Sequence, residues 1–140
     1  MEKGFCFVCG SNNTVGLKLN FELDRENRQA ICSTVISGEY QGWDGIVHGG
    51  IIASMLDGSM VYACKSMDLA CFTAELTVRY KKPVPLNTPV KIFAKVKDQI
   101  QWMPYTIIYT EAIMKMDGRI AAKAKAKMFV RQEMKLKEIP

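Results

Sequence analysis

Histidine is nearly absent from this chain: one residue, His48, in 140. A zinc site built on a His pair therefore has no ligands, and no second Cys-x-x-Cys accompanies Cys6 and Cys9 to complete a four-thiolate site. A cysteine nucleophile would have to borrow that single imidazole, and Cys64 and Cys71 have no base beside them in sequence. No apolar run approaches the roughly 20 residues that cross a bilayer, so no membrane span is expected. A charged and apolar leader is missing as well, and the five cysteines are odd in number, which together lead us to expect a reducing, cytoplasmic setting. The net charge of +5 would suit an anionic partner, but aromatics interleaved with basic residues are sparse and no helix-turn-helix or zinc-finger spacing occurs. No nucleic-acid partner is expected. The basic excess near the end, Lys123, Lys125, Lys127, Arg131, Lys135 and Lys137, alternates in part with small or apolar residues, as a solvated strand face would.

What is present is the composition of a folding domain, 49% hydrophobic and 24% charged, at a length that suits one unit over residues 1–140. After a turn-rich start, Leu17, Leu19, Phe21 and Leu23 alternate as a strand, Asp24 to Asn27 read as a hairpin turn, and "RQAICSTVIS" alternates again. A Gly-rich loop, "GEYQGWDGIV", follows. From Gly49 to about Met67 the period changes: Ile52, Leu56, Met60 and Ala63 recur at helical steps, predicting one long helix that is apolar over most of its circumference. Four more alternating segments come after it, broken at Asn87-Thr88-Pro89, at Asp98 to Gln101 and at the hairpin pair Asp117-Gly118. Two strands, one helix and four strands in a meander predict an α+β domain, an antiparallel sheet of about six strands wrapped round one helix.

One charge interrupts that helix. Asp57 is the only charged residue between Gly49 and Cys64, and a buried carboxylate must be hydrogen-bonded, paired, protonated or facing water. Ser54 or a backbone donor could satisfy it without any chemistry. Ahead of it, Gly49 and Gly50 at a helix start either serve a tight turn or let a group approach amides that lack intrahelical partners, where the dipole favours negative charge. Eight residues of helix separate Gly49 from Asp57, about 12 Å at 1.5 Å per residue. One protomer cannot grip a single reacting atom with both, so an enzymatic reading predicts a site across a two-fold interface.

These residues resemble the hotdog-fold acyl-CoA thioesterases, especially the phenylacetate-pathway (PaaI-like) group. The resemblance runs from "CFVCGSNNTVGLKL" through "GWDGIVHGGIIASMLDGSM" to "TAELTVRYKKPV". It implies a hotdog fold, an acyl-CoA substrate, no cofactor or metal, and a homodimer or dimer-of-dimers homotetramer. It further implies that Gly49 donates its N–H to the thioester carbonyl, that Gly50 supports the turn, and that Asp57 of the partner protomer acts as nucleophile or general base. Thr73 aligns with a residue that helps hold the attacking water, and His48 shapes the loop. Some relatives carry Asn or Gln about six residues before the His; Gly42 stands there, and Gln41 serves if the loop shifts by one. An apolar slot for the acyl group could draw on Trp43, Met55, Met60 and Tyr62, for each of which plain core packing is the favoured reading, and the coenzyme phosphates on Arg79, Lys81 and Lys82. A hydratase would want a different His-to-acid spacing. A non-catalytic acyl-CoA-binding module is the alternative from another class.

Overall fold

The structure, a computed structural model, describes residues 4–131. Six strands and one long helix follow in the order β1 (Glu22–Asp24), β2 (Gln29–Val35), α1 (Gly49–Lys65), β3 (Phe72–Tyr80), β4 (Pro89–Trp102), β5 (Tyr105–Met116) and β6 (Arg119–Arg131), with a short 3-10 turn at Gly38–Tyr40. All strands pair antiparallel in one sheet of order β1-β2-β4-β5-β6-β3. The α+β hotdog architecture is therefore the expected one.

The meander is shorter than expected. Only β4, β5 and β6 follow one another across the sheet; β3 lies beyond β6, and β2 takes the place next to β4. The cause is the helix, which leaves β2, crosses the sheet's apolar face and delivers the chain to the opposite edge. Two further boundaries differ. Asp98 to Gln101 belong to β4, and the turn falls at Met103-Pro104, because the β4–β5 hairpin runs past the core and both faces of residues 98–102 meet solvent, which erases the alternation. Leu17 to Phe21 form no ladder: the Leu17 and Leu19 amides donate to the Phe7 and Val8 carbonyls instead, 2.8 Å each, and only Glu22–Asp24 pair with β2. The turn at Asp117-Gly118 has both residues at positive φ (51° and 73°), as the tight hairpin predicted there requires. Lys135 and Lys137 lie outside the described residues.

Burial of α1 builds the core. Ile52, Met55, Leu56, Met60, Ala63 and Cys64 are sealed against Ile92, Ile108, Met114, Met128 and Val130 of the sheet. The opposite half of the helix, from Gly50 through Ser54, Asp57 and Gly58 to Val61, stays partly open, which is where the N-terminal turn docks. Gly58 makes that docking close: a Cβ there would lie 2.6 Å from Val8 Cγ1, against the 3.5–4.0 Å of an ordinary carbon contact.

Gly58→Ala sets two effects against each other. Helix propensity favours Ala by about 1 kcal/mol, whereas forcing a methyl into a filled space costs about 1–3 kcal/mol. We expect a net loss of stability in urea unfolding, partly recovered by adding Val8→Ala; an unaltered midpoint would show that the turn does not press on α1.

Candidate functional site

A helix starts with amides that no intrahelical carbonyl can reach. At α1 almost all of them are answered locally. His48 is the N-cap; its own N–H donates to the Tyr40 carbonyl at 2.9 Å and its Nδ1 accepts from the Gly50 N–H at 2.8 Å. The Ile51 and Ile52 amides both donate to the His48 carbonyl, at 2.9 and 3.1 Å. The remaining amide is that of Gly49, for which no acceptor is found among the described residues. It opens on a recess lined by Gly42, Trp43, Val47, His48 and Gly49.

The glycines here are steric necessities of the cap. A Cβ on Gly50 would meet His48 Nδ1 at 3.1 Å, and one on Gly42 would meet His48 Cα at 3.2 Å. His48 therefore acts as a structural hydrogen-bonder, its imidazole spent on the Gly50 amide. Gln41 is likewise occupied: its Oε1 accepts from the Gly45 N–H at 3.2 Å and its backbone bridges to Val47, which closes the loop in front of the helix. Neither residue is turned toward a second task by its bonds.

Asp57 sits two turns along, half-buried. Its partner is Thr73, whose hydroxyl donates to Asp57 Oδ1 at 2.6 Å. Ser54, the alternative satisfier, bonds back to the Gly50 carbonyl at 2.9 Å instead. The Thr73 contact depends on a backbone irregularity. Between Thr73 and Glu75 the register of β3 against β6 slips by one residue, so Thr73 stands opposite the buried Met128 and faces α1, while Glu75 stands opposite Lys127 on the outer face. Without the bulge at Ala74, strict alternation would send the Thr73 side chain away from the helix.

The same bulge aligns Thr73 with a residue that sequence reasoning missed. Tyr80, at the far end of β3, donates its hydroxyl to the Gly49 carbonyl at 2.7 Å, and its ring lies 3.5 Å from where a Gly49 Cβ would be. Seven residues separate Thr73 from Tyr80, an odd step that would place them on opposite faces of a regular strand; the extra residue restores them to one face. Strand β3 thus touches α1 both at its start, Gly49, and at its middle, Asp57. Its outer edge is the free edge of the sheet, and Phe72, Leu76 and Tyr80 remain 43%, 36% and 52% exposed along it.

Core packing holds for the methionines set against an acyl slot. Met55 and Met60 are fully buried core residues and line no open surface. Tyr62 is stacked on Phe21, with ring centroids 4.2 Å apart, beneath the N-terminal turn. Trp43, 86% exposed, keeps its place at the mouth of the Gly49 recess. Arg79, Lys81 and Lys82 follow on at the end of β3, the two lysines exposed. Cys64 and Cys71 are buried with their thiols against Met128 Sδ, at 3.8 and 3.3 Å, and the Cys71 hydrogen bond together with burial pushes the Cys64 thiol far up, which leaves it no nucleophile. No helix among the described residues is long and apolar enough to cross a membrane.

Comparison with known proteins finds similarity in sequence and fold. The family model described as "Thioesterase superfamily" matches residues 44–99, the stretch that carries the loop, α1 and β3. Acyl-coenzyme A thioesterase THEM4 of Xenopus laevis is 34% identical over 87 residues, covering 59% of this chain and 37% of its own length. The chain thus spans little more than a third of that curated relative. Among solved structures, a thioesterase superfamily protein superposes with a TM-score of 0.78 at 26% identity, covering 89% of this chain and 62% of the other. The E. coli PaaI protein of the phenylacetic acid degradation operon shares the fold, with a TM-score of 0.67 at 20% identity over 82% of this chain and 80% of its own. Over residues 44–99 the chain is thus similar to the thioesterase superfamily, and its fold is shared with solved thioesterase-superfamily structures.

Proposed function

We propose that this chain is a PaaI-like acyl-CoA thioesterase, active in a site that two protomers complete. The observation that supports this most directly is the unanswered Gly49 amide. Three of its neighbours at the helix start have acceptors, and the one that does not points into an open recess at the positive end of a 17-residue helix. Such a donor stabilises negative charge developing on a carbonyl oxygen.

Asp57 supplies the second half. With Oδ1 held by Thr73, the carboxylate keeps one orientation and leaves Oδ2 for a water or for the carbonyl carbon itself. As general base, Asp57 takes a proton from water while the water oxygen attacks the carbonyl carbon; the C–S bond then breaks, and the proton passes to the departing thiolate. As nucleophile, it forms an acyl anhydride that water opens. Either route gives free acid and coenzyme A.

If both residues act in one reaction, distance argues for a second protomer. About 12 Å of helix separates Gly49 from Asp57, too far for one carbonyl group to meet both. The free β3 edge offers a remedy, because an apolar unpaired edge is a template for a second strand. Antiparallel pairing of two β3 strands about a two-fold axis near their middle sets the Thr73 end of one against the Tyr80 end of the other. Asp57 of one protomer then approaches Gly49 of its partner. Arg79, Lys81 and Lys82 close to that edge would meet the phosphates of coenzyme A.

Gly49→Pro isolates the amide. Proline is at home at the first helical position, and His48 already has the extended backbone (φ −60°, ψ 135°) that a residue before proline prefers. We expect folding to persist and turnover on acyl-CoA to fall about 10²–10³-fold, as when an oxyanion donor is removed. Asp57→Ala should abolish thiol release while coenzyme A binding stays near wild type. If the wild type binds acyl-CoA tightly and releases no thiol from any short, medium, long or aromatic member, the binding-module reading replaces this one.

Mixing the two variants tests the shared site. A dimer of one Gly49→Pro and one Asp57→Ala protomer carries one intact site and one doubly damaged site. Random reassortment should restore about a quarter of wild-type turnover, since half the dimers are mixed and each has one site of two. No recovery from mixtures shown by native mass spectrometry to contain the mixed dimer would place both residues in one protomer's site.

Tyr80→Phe removes only the hydroxyl on the Gly49 carbonyl. A loss of about 1 kcal/mol in urea unfolding with an unchanged slope is expected, together with lower turnover. Wild-type behaviour in both would make the Tyr80 contact incidental.

A further inference from the structure

The N-terminal turn takes no part in the chemistry above, yet it is built with equal care. The Gly10 N–H donates to the Cys6 carbonyl at 2.7 Å, closing a turn so tight that a Cβ on Gly10 would lie 2.4 Å from the Cys6 nitrogen. That turn folds the Cys6 and Cys9 thiols together. The two are hydrogen-bonding neighbours in unlike surroundings: Cys6 is exposed, and Cys9 is 4% exposed.

The polarity of the cluster is consistent throughout. Around Cys6, burial pushes the thiol up, but the Cys9 and Val8 backbone N–H groups, the Cys9 thiol and the nearby Lys65 ammonium outweigh it and hold Cys6 below its ordinary range. Around Cys9, burial dominates and holds the thiol up, despite the Tyr62 hydroxyl that faces it. Tyr62 is fixed in turn, stacked on Phe21 and 4.0 Å beneath the Lys65 ammonium. Cys6 is thus the exposed thiol of the pair and the more acidic of the two, and Cys9 the shielded one behind it.

We propose that Cys6 and Cys9 form a redox-active dithiol that exchanges with small-molecule disulfides. The Cys6 thiolate attacks one sulfur of a disulfide R–S–S–R, forming a mixed disulfide and expelling one RS⁻. Cys9 then attacks Cys6 Sγ, forming the Cys6–Cys9 bond and expelling the second RS⁻, while the Cys9 proton and one from solvent complete two RSH. The protein loses two electrons and the disulfide gains them. A metal fits less well. Among the described residues no three His, Cys, Asp or Glu side chains converge, and the Lys65 ammonium beside the pair opposes a second cation.

The test uses the whole chain, treated with chelator and equilibrated against graded ratios of reduced and oxidised glutathione. After acid quench and alkylation, peptide mapping by mass spectrometry should find Cys6 joined to Cys9 within one chain, with Cys32, Cys64 and Cys71 still reduced. In the reduced protein Cys6 should alkylate roughly tenfold faster than Cys9 or more. Cys9→Ser should trap glutathione on Cys6, and Cys6→Ser should exchange with nothing. Three results would overturn the proposal: a glutathione adduct persisting on wild-type Cys6 with no internal bond, a disulfide joining two chains, or stoichiometric zinc held by the wild type and lost in Cys6→Ser. Should Cys9→Ser fail to fold, the wild-type map and alkylation rates still decide.

Discussion

A helix cannot satisfy its own first amides, and the rest of this structure is arranged around how those of α1 are answered. Four are answered at the loop that precedes the helix: that of His48 by the Tyr40 carbonyl, that of Gly50 by the His48 imidazole, and those of Ile51 and Ile52 by the His48 carbonyl. Each consumption has a steric condition. Gly50 and Gly42 must lack side chains for the imidazole to lie where it does, and Gln41 must hold the loop closed through Gly45. The outcome is that the helix dipole and a single donor are concentrated on Gly49. A loop that left two or three amides free would spread the same polarity over water.

Rigidity of the helix then decides everything about the second functional group. A flexible loop could bring a carboxylate to the Gly49 amide, but α1 is clamped by a sheet that seals Met55, Leu56, Met60 and Cys64, and its rise fixes Asp57 two turns away. Strand β3 resolves what the helix cannot. Through Thr73 and Tyr80 it touches both ends of the same 12 Å span, and the bulge at Ala74 makes that double contact feasible. Because β3 is also a free edge of the sheet, the strand that touches Gly49 and Asp57 is the one that would pair with a second copy in the proposed site.

Much of this was legible in the sequence, for physical reasons that differ from part to part. The helix announced itself because its buried residues recur with helical spacing, and the Asp117-Gly118 hairpin because two positive φ values demand such residues. Asp57 stood out as a charge in an apolar segment. Topology was less visible: alternation shows that β3 is a strand but carries no information about which neighbour it takes, and the crossing of α1 moved it to the far edge. Leu17 and Leu19 alternate because they flank a backbone segment bonded to Phe7 and Val8, which imitates a strand without a ladder. The methionines offered for an acyl slot went to the core, as the apolar face of α1 requires.

Tyr80 and the Ala74 bulge illustrate a limit of another kind. Counting along "FTAELTVRY" gives Thr73 and Tyr80 opposite faces, and no residue type in that stretch marks the slip. Ala74 is neither glycine nor proline, so the usual punctuation of a bulge is missing. Across from the slip, Met128 packs against Cys64 and Cys71 while Lys127 stays on the outer face opposite Glu75. The contact between Thr73 and Asp57 therefore depends on how β3 pairs with its neighbour β6. Thr73 reaches Asp57 because the slipped register sets it opposite the buried Met128, on the face turned to α1, and a sequence pattern read one strand at a time cannot contain that pairing.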